Sequence, residues 1–375
     1  MQFIDLKAQQ QLIRQKIEDN IKRVLDHGRY IMGPEIAELE TRLAAYVGTN
    51  NALGCASGTD ALVLSLLALE IGPGDAVFTS PFTFFATGEV IALLGATPIF
   101  VDIDPVTFNL DPALLAPAIR AVKERGDLEP KVVMPVDIFG LPADYAAINK
   151  VAAEHGLAVV EDAAQAMGGE YHGKKACSLG TLGCTSFFPA KPLGGYGDGG
   201  MVFCDDEGLD RLLRSLRVHG QGEDKYDNVR LGINGRLDTL QAAVLLAKLE
   251  LLPDELAQRQ QVAGRYAALI ADSGAALTAP RVPDGYVSAW AQYSVLAESE
   301  AARSEFLGRL QGAGIPSAVY YPRPLHLQTA FAYLGHQPGD FPHSEAAGQR
   351  IFSLPMHPYL ALEDQEKIVA VLAGA

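Results

Sequence analysis

Short apolar runs alternate with helix-spaced segments along this chain, and that alternation constrains its fold more than any other feature. Residues 52–56, 76–79, 97–101, 132–136 and 158–161 are nearly all apolar, without the in–out alternation of a half-exposed strand. Helical stretches lie between them, among them 60–69, 89–94 and 145–155. A strand apolar at every position is buried on both faces, and helical crossovers supply the cover. The expected fold is therefore α/β, with a mostly parallel sheet.

Two amphipathic helices, 18–26 and 35–47, are expected ahead of this region, around a Gly33-Pro34 turn. Beyond it, 238–252 reads as a long apolar-striped helix broken at Pro253, and 255–270 as another. The texture changes after about residue 272, where 293–297, 299–313 and 317–321 suggest a smaller α+β domain. With 375 residues and 49% hydrophobic content the chain can bury a large core and two domains. The division is placed at a large domain of 1–253 and a smaller one of 254–375.

Charge narrows the partners. A formal net charge of −15 leaves no broad basic surface for nucleic acid or anionic lipid, but leaves room for local basic pockets. The start, Met1-Gln2-Phe3-Ile4-Asp5-Leu6-Lys7, lacks the pattern of a signal peptide, and apolar runs such as 61–69 are too short to span a bilayer. A cytoplasmic protein without membrane partners is expected. Cys55, Cys177, Cys184 and Cys204 are scattered with no C-x-x-C pair, as reduced core thiols would be, and no metal site is expected.

The chemistry centres on Lys191. It ends the apolar run Ser186-Phe187-Phe188-Pro189-Ala190 and precedes Pro192-Leu193-Gly194-Gly195. A lysine held where water is scarce loses its charge easily and can form a Schiff base. A surface lysine in a glycine-rich loop is the plain alternative; the apolar residues before it and the glycines after it argue for packed backbone instead. Val159-Val160-Glu161-Asp162 reads as a buried strand ending in an acid, at the sheet edge where open α/β folds bind ligands. Such an acid can hold a pyridine nitrogen protonated, although Asp162 also suits a helix cap before Ala163-Ala164-Gln165. Lysine and acid together are the parts needed to run pyridoxal phosphate (PLP) as an electron sink. Ser57-Gly58-Thr59, between a strand and a helix, is either an ordinary cap or a phosphate seat, and Lys191 favours the seat.

These residues resemble the PLP-dependent sugar aminotransferases of the DegT type, a branch of the fold-type I enzymes. The resemblance runs through Phe3-Ile4-Asp5-Leu6, Gly33-Pro34-Glu35, Ser57-Gly58-Thr59-Asp60-Ala61-Leu62, Pro81-Phe82-Thr83-Phe84 and Val101-Asp102-Ile103-Asp104. It continues through Glu161-Asp162-Ala163-Ala164-Gln165, Ser186 to Lys191, Gly197-Asp198-Gly199-Gly200, Gly232 to Asp238 and Ser353-Leu354-Pro355-Met356-His357-Pro358. It implies a large PLP domain with a mixed, mainly parallel sheet, followed by a smaller α+β domain. By resemblance, Lys191 carries the cofactor and shuttles the proton, and Asp162 pairs with the ring nitrogen. Gln165 contacts the phenolic oxygen, Phe84 stacks on one ring face and Ala164 packs on the other. Gly58, Thr59 and Ser186 hold the phosphate, and Asn234 reaches it from the partner subunit of a homodimer.

The same resemblance suggests a substrate. Gly220-Gln221, Tyr226, residues 234–243 and the Lys191 segment are similar to the branch that aminates C3 of UDP-linked 2-acetamido-3-keto-glucuronic acid. There Arg236 approaches the sugar from the neighbouring subunit, with Tyr320, Tyr321 and His326 as further substrate candidates. Tyr320 departs from that branch, which carries histidine at its position. The implied reaction is transamination of a nucleotide-linked ketosugar with L-glutamate as donor; amination of a dTDP-linked or other keto-deoxysugar at C3 or C4 is the alternative. A non-enzymatic regulator on this scaffold should have lost Lys191 or Asp162, and the related dehydratase carries histidine in place of the lysine.

Overall fold

The computed structural model describes residues 1–224 and 226–374. The chain opens with the helix Leu6–His27, started by Asp5, whose carboxylate accepts the Ala8 N–H, and ended by Gly28 in the left-handed region. The expected 18–26 helix is its second half. Helix Pro34–Val47 follows, with Pro34 in its first turn, where a missing N–H costs nothing.

In chain order the strands are β1 (Asn51–Cys55), β2 (Asp75–Thr79), β3 (Thr97–Phe100), β4 (Glu129–Met134), β5 (Ala158–Asp162), β6 (Glu170–Tyr171), β7 (Lys174–Lys175), β8 (Leu182–Ser186) and β9 (Gly200–Cys204). Seven of them form the central sheet in the order β1-β9-β8-β5-β4-β2-β3. β9 runs antiparallel to both neighbours, and the other pairs are parallel. This is the mixed, mainly parallel sheet of fold type I.

β8 and β9 are not among the strands expected from the sequence. Glycine hides them: Gly183 and Gly200 lower strand propensity, yet a Cβ at Gly183 would lie 2.1 Å from the Cys177 carbonyl oxygen. Close backbone approach demands the residue that weakens the signal.

The carboxyl-terminal part holds β10 (Leu277–Thr278), β11 (Tyr286–Val287), β12 (Tyr293–Ala297) and β13 (Ile351–Leu354). β10, β12 and β13 form a small antiparallel sheet. Residues 317–321, expected as a regular element, contribute only the single bridge from Ala318 to Ser353, because Pro316 and Pro322 bracket them. The break between the two long helices also falls earlier than expected. They span Thr239–Leu249 and Leu252–Ser273, and Pro253 starts the second rather than ending the first. Val262, Ala263, Tyr266 and Ile270 of that helix pack with Tyr293, Val295 and Phe352 in one apolar cluster. We propose that the smaller unit begins with this helix, in whose first turn the 253/254 division falls.

One buried ion pair fixes a loop that matters below. Arg217, 2% exposed, donates to Glu40 Oε1 at 2.7 Å and to the Gly54 carbonyl at 2.8 Å. It ties the segment after helix Glu207–Leu216 to β1. The return of that segment is then set by backbone, Gly235 N to Arg217 O and Ala56 N to Gly235 O.

Candidate active site

Three segments meet at the carboxyl edge of the central sheet. β5 ends at Asp162, β8 ends at Ser186, and helix Gly58–Ala68 starts against them. The approach is close: a Cβ on Gly58 would lie 2.7 Å from Ser186 Cβ, and one on Gly200 would lie 2.3 Å from the Ser57 carbonyl oxygen.

Asp162 is 4% exposed. Thr87 donates its hydroxyl to Oδ2 at 2.8 Å, and the Ala164 N–H reaches Oδ1 at 3.2 Å. Thr87 in turn lies 3.0 Å from the Thr83 hydroxyl, one helical turn back. Burial raises the Asp162 pKa; the Thr87 and Ala164 hydrogen bonds and the Lys191 charge pull the other way.

Lys191 sits in a hairpin excursion between β8 and β9. Its N–H donates to the Phe188 carbonyl at 2.9 Å, Gly195 N to Phe187 O at 2.7 Å, and Phe187 N to Gly199 O at 2.8 Å. Loss of hydration lowers its pKa to about 8, with the Asp162 charge opposing the shift. Burial thus favours the uncharged amine more than water does.

Gln165 is oriented from both ends. Its Oε1 accepts the Phe139 N–H at 2.6 Å, and its Nε2 donates to the Tyr321 hydroxyl at 3.0 Å. Burial pushes the Tyr321 phenol up, so it stays protonated. Phe84, 59% exposed, faces Tyr321 with ring centres 6.4 Å apart, and Ala164 is only partly buried. Both therefore keep a free face. Behind Asp162, Glu161 accepts the Cys177 and Leu179 N–H groups. Burial raises the pKa of Glu161 and of its neighbour Asp137, and the Glu161 charge raises that of Asp137 further.

Ser57 plays the ordinary cap: its hydroxyl accepts the Asp60 N–H at 3.0 Å. That role leaves the first helical amides, of Gly58 and Thr59, without partners inside the helix, beside Ser186. An anion seat and a cap coexist here.

Asn234 and Arg236 lie elsewhere on the chain's own surface. Arg236 Nε donates to Asn234 Oδ1 at 2.9 Å, and both line a cavity of ≈ 380 Å³ with Ile31, Ala56, Gly197, Asp198, Asp238 and Gln241. Neither Asp162 nor Lys191 lines it. Tyr320 lies beside Tyr321, ring centres 5.8 Å apart. His326 corrects an expectation. Its side chain is fully buried, 3.0 Å from Glu345 and packed on Phe341, so no face of it is offered to a substrate. The sequence reading missed Thr87, the Phe139 amide and the Asp137–Glu161 pair. The marker Pro81-Phe82-Thr83-Phe84 pointed at the right helix, but Thr87 lies one turn beyond it.

These residues fit PLP. A cradle that a Cβ would fill, with free helix-start amides, suits a phosphate. An acid that accepts two hydrogen bonds and lies near Lys191 suits a ring nitrogen. The second N–H of the Gln165 amide is available for a phenolic oxygen.

Comparisons with known proteins identify the family. The model of the DegT/DnrJ/EryC1/StrS aminotransferase family matches residues 11–373. The chain is 46% identical over 374 residues to a UDP-2-acetamido-2-deoxy-3-oxo-D-glucuronate aminotransferase of Pseudomonas aeruginosa, covering 100% of both chains. It is 40% identical over 370 residues to a UDP-N-acetyl-3-dehydro-alpha-D-glucosamine 3-aminotransferase of Acidithiobacillus ferrooxidans, covering 99% of this chain and 96% of that one. The crystal structure of a DegT DnrJ EryC1 StrS aminotransferase from Brucella abortus superposes with a TM-score of 0.96 at 50% identity, covering 100% and 99%.

Proposed function

We infer the function from one premise: this chain belongs to the DegT/DnrJ/EryC1/StrS aminotransferase family. It is a PLP-dependent aminotransferase acting on a nucleotide-linked ketosugar. The reading we favour is amination at C3 of UDP-2-acetamido-3-keto-glucuronic acid with L-glutamate as donor. Its chemistry rests on one observation, the Lys191 amine placed within electrostatic reach of buried Asp162 at the carboxyl edge of the sheet. Its substrate rests on the full-length similarity to the Pseudomonas aeruginosa relative.

When bound, PLP supplies an aldehyde for amines and a ring that takes up electrons released at the substrate carbon. Gly58, Thr59 and Ser186 would hold its phosphate. Asp162 would keep the ring nitrogen protonated, and Gln165 would face its phenolic oxygen. Lys191 would hold the cofactor through Nζ. Freed by the donor amine, the same Nζ would take up the proton released at the donor Cα, and in the second half it would return a proton to the sugar carbon. One base serves both positions because the hairpin holds it beside them.

A buried sugar carboxylate needs a paired cation, and Arg236 is the candidate. Its Nε is occupied by Asn234, which leaves the two terminal nitrogens as a fork. Glutamate-dependent amination across UDP-, dTDP- and GDP-ketosugars, uronic and neutral, tests the substrate. Arg236→Lys should then lower uronate amination roughly ten- to hundredfold, since the bidentate fork is lost while the charge stays. If a neutral ketosugar is aminated as well as the uronate, the uronate assignment falls. Equal failure of both half-reactions would move Arg236 to the donor.

Asn234 and Arg236 line a cavity that contains neither Asp162 nor Lys191, and this supports a homodimer in which each subunit completes its partner's site. Inactive Lys191→Ala mixed with an inactive Asn234→Ala, Arg236→Ala double variant should regain activity, because one site of the hybrid has two intact halves. Absence of rescue in confirmed hybrids would count against sharing.

A further inference from the structure

The Lys191 excursion leaves β8 and returns to β9 through Gly194-Gly195-Tyr196-Gly197, an arm whose single side chain is that of Tyr196. Glycines leave such an arm free to take many conformations. Helix Thr239–Leu249 fixes it from outside. Gln241 accepts the Tyr196 N–H on Oε1 at 2.8 Å. Its amide lies close against the turn: a Cβ at Gly195 would stand 2.9 Å from Gln241 Oε1, and one at Gly197 2.9 Å from Nε2. Two turns along the same helix face, Lys248 holds its Nζ 4.4 Å from the centre of the Tyr196 ring. The helix is itself held, by Asn20 Nδ2 on the Ala243 carbonyl at 2.9 Å and by the Gly33 N–H on Thr239 Oγ1 at 3.0 Å.

Lys248 is an uncommon lysine. It is 1% exposed, and its Nζ has no hydrogen-bond partner among the described residues. A buried ammonium without such a partner lowers stability, and a methionine would fill the same space without that penalty. The Glu255 charge works to keep the group charged against the loss of hydration. What the charge does address is the Tyr196 ring, whose face attracts a cation most where water is excluded. The penalty thus falls at the one side chain that steers the Lys191 arm.

We propose that Lys248 is a positioning residue for Lys191, acting through Tyr196. The inference rests on the aminotransferase reading above, which gives Lys191 its role at the substrate carbons. The Gln241 amide fixes the Tyr196 N–H and the Lys248 charge fixes its ring, so peptide and side chain are held from one helix. Two points of attachment set the orientation of the arm as well as its distance, and the arm begins just beyond Lys191-Pro192-Leu193. A base displaced by about an ångström from the reacting carbons loses much of its effect, although its own chemistry is unaltered.

Lys248→Met removes the charge and keeps the length. It should melt no lower than wild type, yet lower kcat roughly tenfold with the glutamate and ketosugar KM values within about twofold, a split that a merely structural lysine would not produce. Tyr196→Leu should match it. Lys248→Arg and Tyr196→Phe, which keep cation and ring, should recover most of the loss. The double variant Lys248→Met, Tyr196→Leu should be no slower than either single one, because both remove one interaction. Hydrogen exchange of the PLP-loaded enzyme gives a readout apart from activity: the amides of residues 193–198 should exchange roughly tenfold faster in Lys248→Met. Three results overturn the proposal and leave the transamination reading standing: a kcat for Lys248→Met within about twofold of wild type, a double variant that loses the product of the two single losses, or unchanged exchange in 193–198. If wild type aminates no ketosugar and takes no amino group from glutamate, the reading of function itself falls and takes this role of Lys248 with it.

Discussion

Lys191→Ala is expected to abolish turnover while PLP still binds. The loss has two parts. The anchoring amine disappears, and so does the base beside both carbons; general base catalysis alone accounts for about 10²–10⁴ in rate. Affinity should survive because the seat at Gly58 and Thr59, the Asp162 carboxylate and the Gln165 amide are built by other segments. The lysine side chain takes no part in the turn that shapes its own loop, which is closed by backbone bonds among residues 187–199. A spectral titration for cofactor affinity and a single-turnover assay with glutamate separate the two effects. Normal turnover would remove Lys191 from its role.

Asp162→Asn should slow the glutamate half-reaction by about a hundredfold or more, the scale seen when a group aimed at developing charge is lost. The fold should not change. An asparagine can turn its carbonyl oxygen to the Ala164 N–H and its amide to Thr87, whose hydroxyl then accepts instead of donating. What disappears is the negative charge. Without it the ring nitrogen is no longer held protonated, and the Lys191 amine loses the neighbour that favours its charged form. Rapid-mixing kinetics with glutamate, compared with PLP affinity, provide the check. An unchanged rate would leave Asp162 as nothing more than a cap.

What the sequence reveals here and what it hides follow from the range of the interactions. β1 to β5 were legible because a continuous apolar run reports burial on both faces within five residues. Lys191 and Asp162 were legible because each stands at the end of such a run. Ser57-Gly58-Thr59 read both as a cap and as a phosphate seat, and the structure makes the two compatible. Thr87 was not legible, because its importance comes from β2 and β5 being carried to the same sheet edge. Glu161 and Asp137 meet 24 positions apart for the same reason. His326 was grouped with Tyr320 and Tyr321 as a substrate candidate because it lies close to them in sequence. The short helical turn Leu325–Leu327 instead drives the ring under Phe341, against Glu345.

The hairpin between β8 and β9 has a consequence for motion. Both strands are interior: β9 lies between β1 and β8, and β8 between β9 and β5. The Lys191 excursion is therefore anchored at both ends in the middle of the sheet, not on an edge. Regions that open easily in native proteins have few buried contacts and loosely held backbone, and this one has neither. The reactive amine is tied by the backbone bonds among residues 187–199 to two interior strands. Small fluctuations that expose other loops to solvent or protease leave it in register.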